Sequence, residues 1–137
     1  MPIIVNSIAT INELCEVSMY QNRVIKAVLP GPVTVILKLK NSVETIAIRY
    51  SKDSFLNQLI SSVDCPLYLT SANISGYEPI KSAKAAKKIF KDDVKCYING
   101  KVQFGTPSTI IDLTSNSIKV IRQGDMTIDD INKKIGE

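Results

Sequence analysis

Residues 33–40 read VTVILKLK. β-Branched side chains dominate the run, and apolar and basic residues alternate towards its end. That is the pattern of a strand half-buried on a pleated surface. Residues 44–50, ETIAIRY, carry a second such pattern, and Asn41-Ser42 between them predicts a hairpin. Upstream, Pro30-Gly31-Pro32 cannot lie inside a helix, because proline lacks the amide hydrogen and clashes with the preceding turn. The first strand of the pair therefore starts at Val33.

Working outward, Pro2 to Val5 is a short apolar run that reads as a strand. Thr10-Ile11-Asn12-Glu13 has the T-x-x-E form of a capping box. It predicts a helix to about Tyr20, with residues 22–29 continuing helically up to Pro30. Asp53 to Ser62 reads as a helix, and Pro66 then leads into a buried strand, Leu67 to Leu69. Residues 70–76, TSANISG, form a polar loop, and Lys81 to Lys91 or a little beyond is a helix. Cys96 to Ile98 reads as a short strand ended by Asn99-Gly100. Ser108–Leu113 and Ile118–Ile121 are strands joined by the turn Thr114-Ser115-Asn116. Thr127 to Ile135 is a helix capped by Thr127, with Asp130 at its third position. Short strands alternating with helices predict an α/β fold of the α+β type.

At about 100–200 residues per domain, 137 residues make one domain. With 45% apolar and 22% charged residues, the composition excludes disorder and low-complexity scaffolds. Three cysteines cannot all pair, and none stands in a C-x-x-C spacing. The absence of histidine excludes Ser-His-Asp triads, Cys-His dyads and His-ligated metals. The net charge of +4 permits a polyanionic partner such as ATP or RNA without demanding one. No apolar run approaches the ~18 residues of a membrane span, and MPIIVNSIATINEL lacks the basic and apolar regions of a secretory signal. Unpaired thiols then point to the cytoplasm.

Three polar clusters fall at predicted strand ends, where open α/β sheets place ligands. They are Pro30 to Thr34, Thr70 to Gly76, and Thr106 to Thr109 with Ile121 to Gly124. They supply hydroxyls, a carboxamide, backbone N–H groups and one arginine, but no general base titrating near neutrality. Such groups bind phosphates and carboxylates and act by positioning and electrostatics. Taken singly, each cluster reads as an ordinary turn, loop or solvated charge.

Taken in order, LPGPVTVILK at 29–38, AIRY at 47–50, PLYLTSANISG at 66–76, ING at 98–100, PSTIIDLT at 107–114 and IRQG at 121–124 are spread along residues 29–124 of the chain. In these motifs it resembles the YrdC-like family, the threonylcarbamoyl-AMP synthases that begin tRNA threonylcarbamoyladenosine formation. The resemblance implies a single twisted, mixed open sheet with flanking helices and a basic concave groove. It also implies a reaction in which ATP with Mg²⁺, L-threonine and bicarbonate give threonylcarbamoyl-AMP and pyrophosphate, with no tightly bound cofactor. Carried over by motif position, Ser71 and Ser108 would bond the threonine or threonylcarbamoyl end. Asn73 would contact the nucleotide, Arg122 would pair with phosphate, and Thr34 and Arg49 would line the nucleotide groove.

The family pattern begins earlier than Met1, with a PTDTVYGL-like segment and a Lys-x-Arg pair facing the triphosphate. No such pair precedes LPGPVT here. The expectation is an N-terminally shortened domain, a poor synthase alone, with an open sheet edge for a homodimer or another partner to cover.

The segment Lys81–Lys95 carries a further pattern. At 100° per residue, Lys81, Lys84, Lys88, Lys91 and Lys95 fall within an arc of about 80°, opposite Ala83, Ala86, Phe90 and Val94. That predicts an apolar face packed on the sheet and a lysine face that is either simply solvated or set against tRNA or double-stranded RNA phosphates. Three readings follow: a threonylcarbamoyl-AMP synthase, a non-catalytic RNA- or nucleotide-binding module of the same fold, and a carbamoyl-phosphate domain as in hydrogenase-maturation proteins. The last is disfavoured, because that role sits in much larger chains.

Overall fold

The computed structural model describes residues 1–100 and 107–136. The chain forms two compact units, Met1–Leu69 with Thr106–Glu137, and Thr70–Gly105.

The first unit is built on a six-stranded mixed sheet. Its strands are β1 (Ile3–Val5), β2 (Val33–Lys38), β3 (Thr45–Tyr50), β4 (Leu67–Tyr68), β5 (Thr109–Asp112) and β6 (Lys119–Arg122), in the order β4-β1-β3-β2-β5-β6. The predicted hairpin of β2 and β3 is present, with Val35 opposite Ile48 and Thr34 opposite Arg49. Parallel pairs join β1 to β3 and β2 to β5, while β4 and β6 are antiparallel outer strands.

Alternation along β2 decides where the core lies. Val33, Val35 and Leu37 are fully buried and share a face with Ile48 of β3 and Ile111 of β5. Helices α1 (Ile8–Leu14), α2 (Met19–Val28) and α5 (Ile128–Ile135) bring Ile11, Val24, Ile25 and Ile131 to the same cluster. Each such side chain contributes about 1.5–3 kcal/mol on burial. Helix α5 has the predicted cap, with the Thr127 hydroxyl accepting from the Asp130 amide and the Asp130 carboxylate accepting from the Thr127 amide. Helix α3 (Ser54–Ser62) is present, with Asp53, where the helix was expected to begin, as its N-cap.

Three expectations are corrected. The helical stretch predicted from Thr10 to Leu29 is two helices. Ser7 caps α1, Thr10 stands inside it, and Ser18 with Gln21 forms a fresh capping box for α2. The break is imposed by the end of β2 and the residues after it: Glu16 N–H donates to Lys38 O at 2.9 Å, and Lys40 N–H donates to Leu14 O at 3.0 Å. The strand Leu67 to Leu69 was expected to be buried. It is an outer strand, with Tyr68 62% exposed. Finally, residues 96–98 form no strand.

The second unit carries α4 (Ala83–Phe90), capped by the Ser82 hydroxyl, followed by a 3₁₀ turn over Lys91–Asp93. The helix ends because Lys91 adopts φ 44°. Only Lys84 and Lys88 of the five aligned lysines lie on α4, since a continuous arc requires helix through Lys95. Among the described residues, no helix is long and apolar enough to cross a membrane.

Candidate anion-binding site

Sheet register brings four of the predicted residues together. Thr34 of β2 stands opposite Arg49 of β3 and opposite Ile110 of β5, and Ile110 stands opposite Arg122 of β6. Residues directly opposite one another share a face. Ser108, two positions before Ile110, returns to that face. Strands β2 and β5 begin where β3 and β6 end, so Thr34, Arg49, Ser108 and Arg122 collect at one end of the sheet.

Their contacts follow from this placement. The hydroxyls of Thr34 and Ser108 are buried and lie 2.9 Å apart. Arg122 Nε and Nη2 both donate to the Ser108 carbonyl, at 3.2 and 2.9 Å, and Nη2 reaches Ser108 Oγ at 3.5 Å. Arg49 is different, because its Nε is buried without a hydrogen-bond partner among the described residues. Burial lowers the Arg49 pKa from its ordinary value, and the Arg122 cation lowers it further. Two guanidinium groups thus act on each other beside two hydroxyls. An unpaired buried donor and two like charges are costly features of an empty fold. Both costs fall when an anion lies between them, so the arrangement can hold a phosphate or carboxylate.

A latch that the sequence reading did not single out secures Arg122. Thr109 is fully buried, and its Oγ1 accepts from Gly124 N–H at 2.9 Å and donates to Met126 O at 2.6 Å. A Cβ on Gly124 would meet Pro107 O at 2.0 Å, so only glycine allows this close approach. The motifs PSTIIDLT and IRQG contain both residues, but their mutual contact is visible only in three dimensions.

Ser71 and Asn73 belong to the second unit. Ser71 Oγ donates to Asn73 Oδ1, and Asn73 Nδ2 donates to Ile74 O at 3.0 Å. They line a cavity of about 640 Å³ with Ile80, Lys81, Phe90 and Val94. Ala83 and Ala86, expected to pack on the sheet with Phe90 and Val94, also line this cavity. Among the described residues, no group of three or more cysteine or carboxylate side chains could hold a metal ion.

The Sua5/YciO/YrdC family model, described as "Telomere recombination", matches residues 1–124. A threonylcarbamoyl-AMP synthase of Pyrococcus abyssi is 32% identical over 117 residues, which are 79% of this chain and 34% of that protein. A second relative, from Methanocaldococcus jannaschii, is 37% identical over 109 residues, 74% of this chain and 51% of its own length. The chain thus spans between about a third and a half of the curated relatives it matches. The crystal structure of P. abyssi Sua5 complexed with L-threonine matches 99% of this chain and 44% of its own, with 30% identity and a TM-score of 0.85. E. coli YciO, at 21% identity and a TM-score of 0.76, shares the fold over 95% of this chain and 68% of its own. The matched span, the sheet and the residues on it agree: the chain belongs to the Sua5/YciO/YrdC family.

Proposed function

We propose that the chain binds the substrates of threonylcarbamoyl-AMP synthesis, in the cytoplasm, where ATP and free thiols coexist. The observation that carries the reading is the convergence of Arg49, Arg122, Ser108 and Thr34, with the buried Arg49 Nε left for an anion. The named activity of the P. abyssi relative, and the L-threonine held by the P. abyssi structure, support it.

In this reading the threonine amine takes up bicarbonate, losing water, and becomes a carbamate. A carbamate oxygen then attacks the α-phosphorus of MgATP, the bond to the bridging oxygen breaks, and pyrophosphate leaves. The residues at the sheet end include no histidine and no carboxylate, so they do not act as a general base. Their contribution is placement and charge. Arg49 and Arg122 neutralise phosphate oxygens, Thr34 lines the nucleotide groove beside them, and the Ser108 hydroxyl orients the threonyl end. Within the second unit, Ser71 offers a hydroxyl and Asn73 a carboxamide of the kind that bonds a threonyl or nucleotide group.

Calorimetry of the full chain with MgATP, with and without L-threonine, tests the proposal. Nucleotide binding tightened by threonine is expected. Binding of duplex RNA with no nucleotide binding overturns it and leaves the RNA-binding module.

A further inference from the structure

The lysines of the second unit do not form the straight row that a helical projection draws. Lys84 and Lys87, three residues apart on α4, share one face. The helix then stops, and Lys91 takes φ 44° and ψ −121°, a conformation side chains rarely adopt. Such backbone strain persists only where its surroundings fix it. Here the Tyr97 hydroxyl donates to Lys91 O at 2.8 Å. The turn folds the following residues back, and Lys84, Lys87, Lys91 and Lys95 line one cavity of about 710 Å³ with Asp92 and Asn99. Lys88 is not in its wall, and Lys81 lines the other cavity of this unit.

Among the described residues of that wall, four ammonium groups stand against one carboxylate, that of Asp92. Among the described residues, none of the four forms an ion pair. Like charges around one concavity repel, and a small ligand of several negative charges relieves every pair at once. A duplex backbone spreads its charges along a line, which suits a straight row. A concave ring suits charges concentrated within a few atoms.

We propose that the second unit carries a binding site for a compact phosphate polyanion, a chain of two or three phosphoryl groups, framed by Lys84, Lys87, Lys91 and Lys95. The site is formed by residues of this unit alone and is independent of the reading given to Arg49 and Arg122. Free polyphosphate and the tail of a nucleotide share this chemistry.

The test is titration of the ¹⁵N-labelled full chain with sodium tripolyphosphate and, separately, with MgATP, followed by NMR. Tripolyphosphate should shift the amide signals of residues 84–99 in a saturable way. Saturation by MgATP as well assigns the nucleotide tail, and saturation by tripolyphosphate only assigns the free polyanion. The double variant K87Q/K95Q should weaken that titration at least about tenfold, while R122A should leave it unchanged. Lys91 is kept, so the turn is preserved. Static signals at 84–99 overturn the proposal, even if those of Arg49 and Arg122 move. Shifts at 84–99 produced by duplex RNA but not by tripolyphosphate overturn it too.

Discussion

Arg122 holds Ser108 by two bonds to a single oxygen, since Nε and Nη2 both donate to the Ser108 carbonyl, at 3.2 and 2.9 Å. This bond pair fixes the guanidinium plane beside the Thr34–Ser108 hydroxyl pair, while the Nε of the other arginine, Arg49, has no hydrogen-bond partner among the described residues. The planar fork matters as much as the charge, and lysine reproduces only the charge. Hydrogen bonds to charged groups contribute about 1.5–3 kcal/mol. R122K should therefore weaken MgATP binding by about tenfold, and R122A by about 100-fold, by calorimetry. Wild-type affinity in R122K would show that the fork plays no part.

Arg49 illustrates a conflict between stability and binding. Its unpaired Nε, its burial and the neighbouring Arg122 cation all disfavour the charged side chain in the unliganded fold. Arg49→Met keeps the length of the side chain and removes the charge. Because Arg49 is only half-buried, solvent screening reduces the gain. The expected result is a rise in unfolding free energy of up to about 1 kcal/mol in urea, with MgATP affinity lost. A destabilised R49M protein would mean that Arg49 has structural work beyond the anion site.

Local sequence carried a large part of this fold. The β2–β3 hairpin follows from the alternation of VTVILKLK and ETIAIRY, and α5 follows from Thr127 and Asp130. What escaped depends on partners far along the chain. The break between α1 and α2 is set by Lys38 at the end of β2 and Lys40 just beyond it, and no residue between Thr10 and Leu29 is a helix breaker. The end of α4 is set by a positive φ at a lysine, where sequence reading looks for glycine. The site shows the same division. Motif resemblance identified Thr34, Arg49, Ser108 and Arg122, whereas their common face needed the register of four strands. Thr109 stood in the third polar cluster, but only the folded chain shows that its hydroxyl ties β5 to the segment after Arg122.

That tie makes a prediction about Thr109 and Gly124. Thr109→Val keeps the shape but removes a donor and an acceptor, leaving Gly124 N–H and Met126 O without their partner. A loss of about 1–3 kcal/mol is expected in urea unfolding, and T109S should recover most of it. Gly124→Ala forces a methyl group against Pro107 O, so it should cost at least about 2 kcal/mol. Equal stability of T109V and wild type would deny the latch any energetic role.

The three thiols should separate by burial. Cys15 is 1% exposed, and burial raises its pKa above the usual thiol value, with Lys40 opposing the shift. Cys65 and Cys96 are exposed. At about pH 8, iodoacetamide should label Cys65 and Cys96 and spare Cys15 until the chain is unfolded. The sign of the pH dependence follows from the same shift. The unfolded chain ionises Cys15 at its ordinary value of about 8.5, whereas the folded chain keeps the proton to higher pH. The stability contributed by the neutral thiol is therefore complete below that value and is lost as pH rises through the folded pKa. In Cys15→Ala, part of the decline in urea midpoint above about pH 8.5 should disappear. A decline identical to wild type would place the alkaline sensitivity elsewhere, and rapid labelling of Cys15 in the native chain would contradict its seat between α1 and β2.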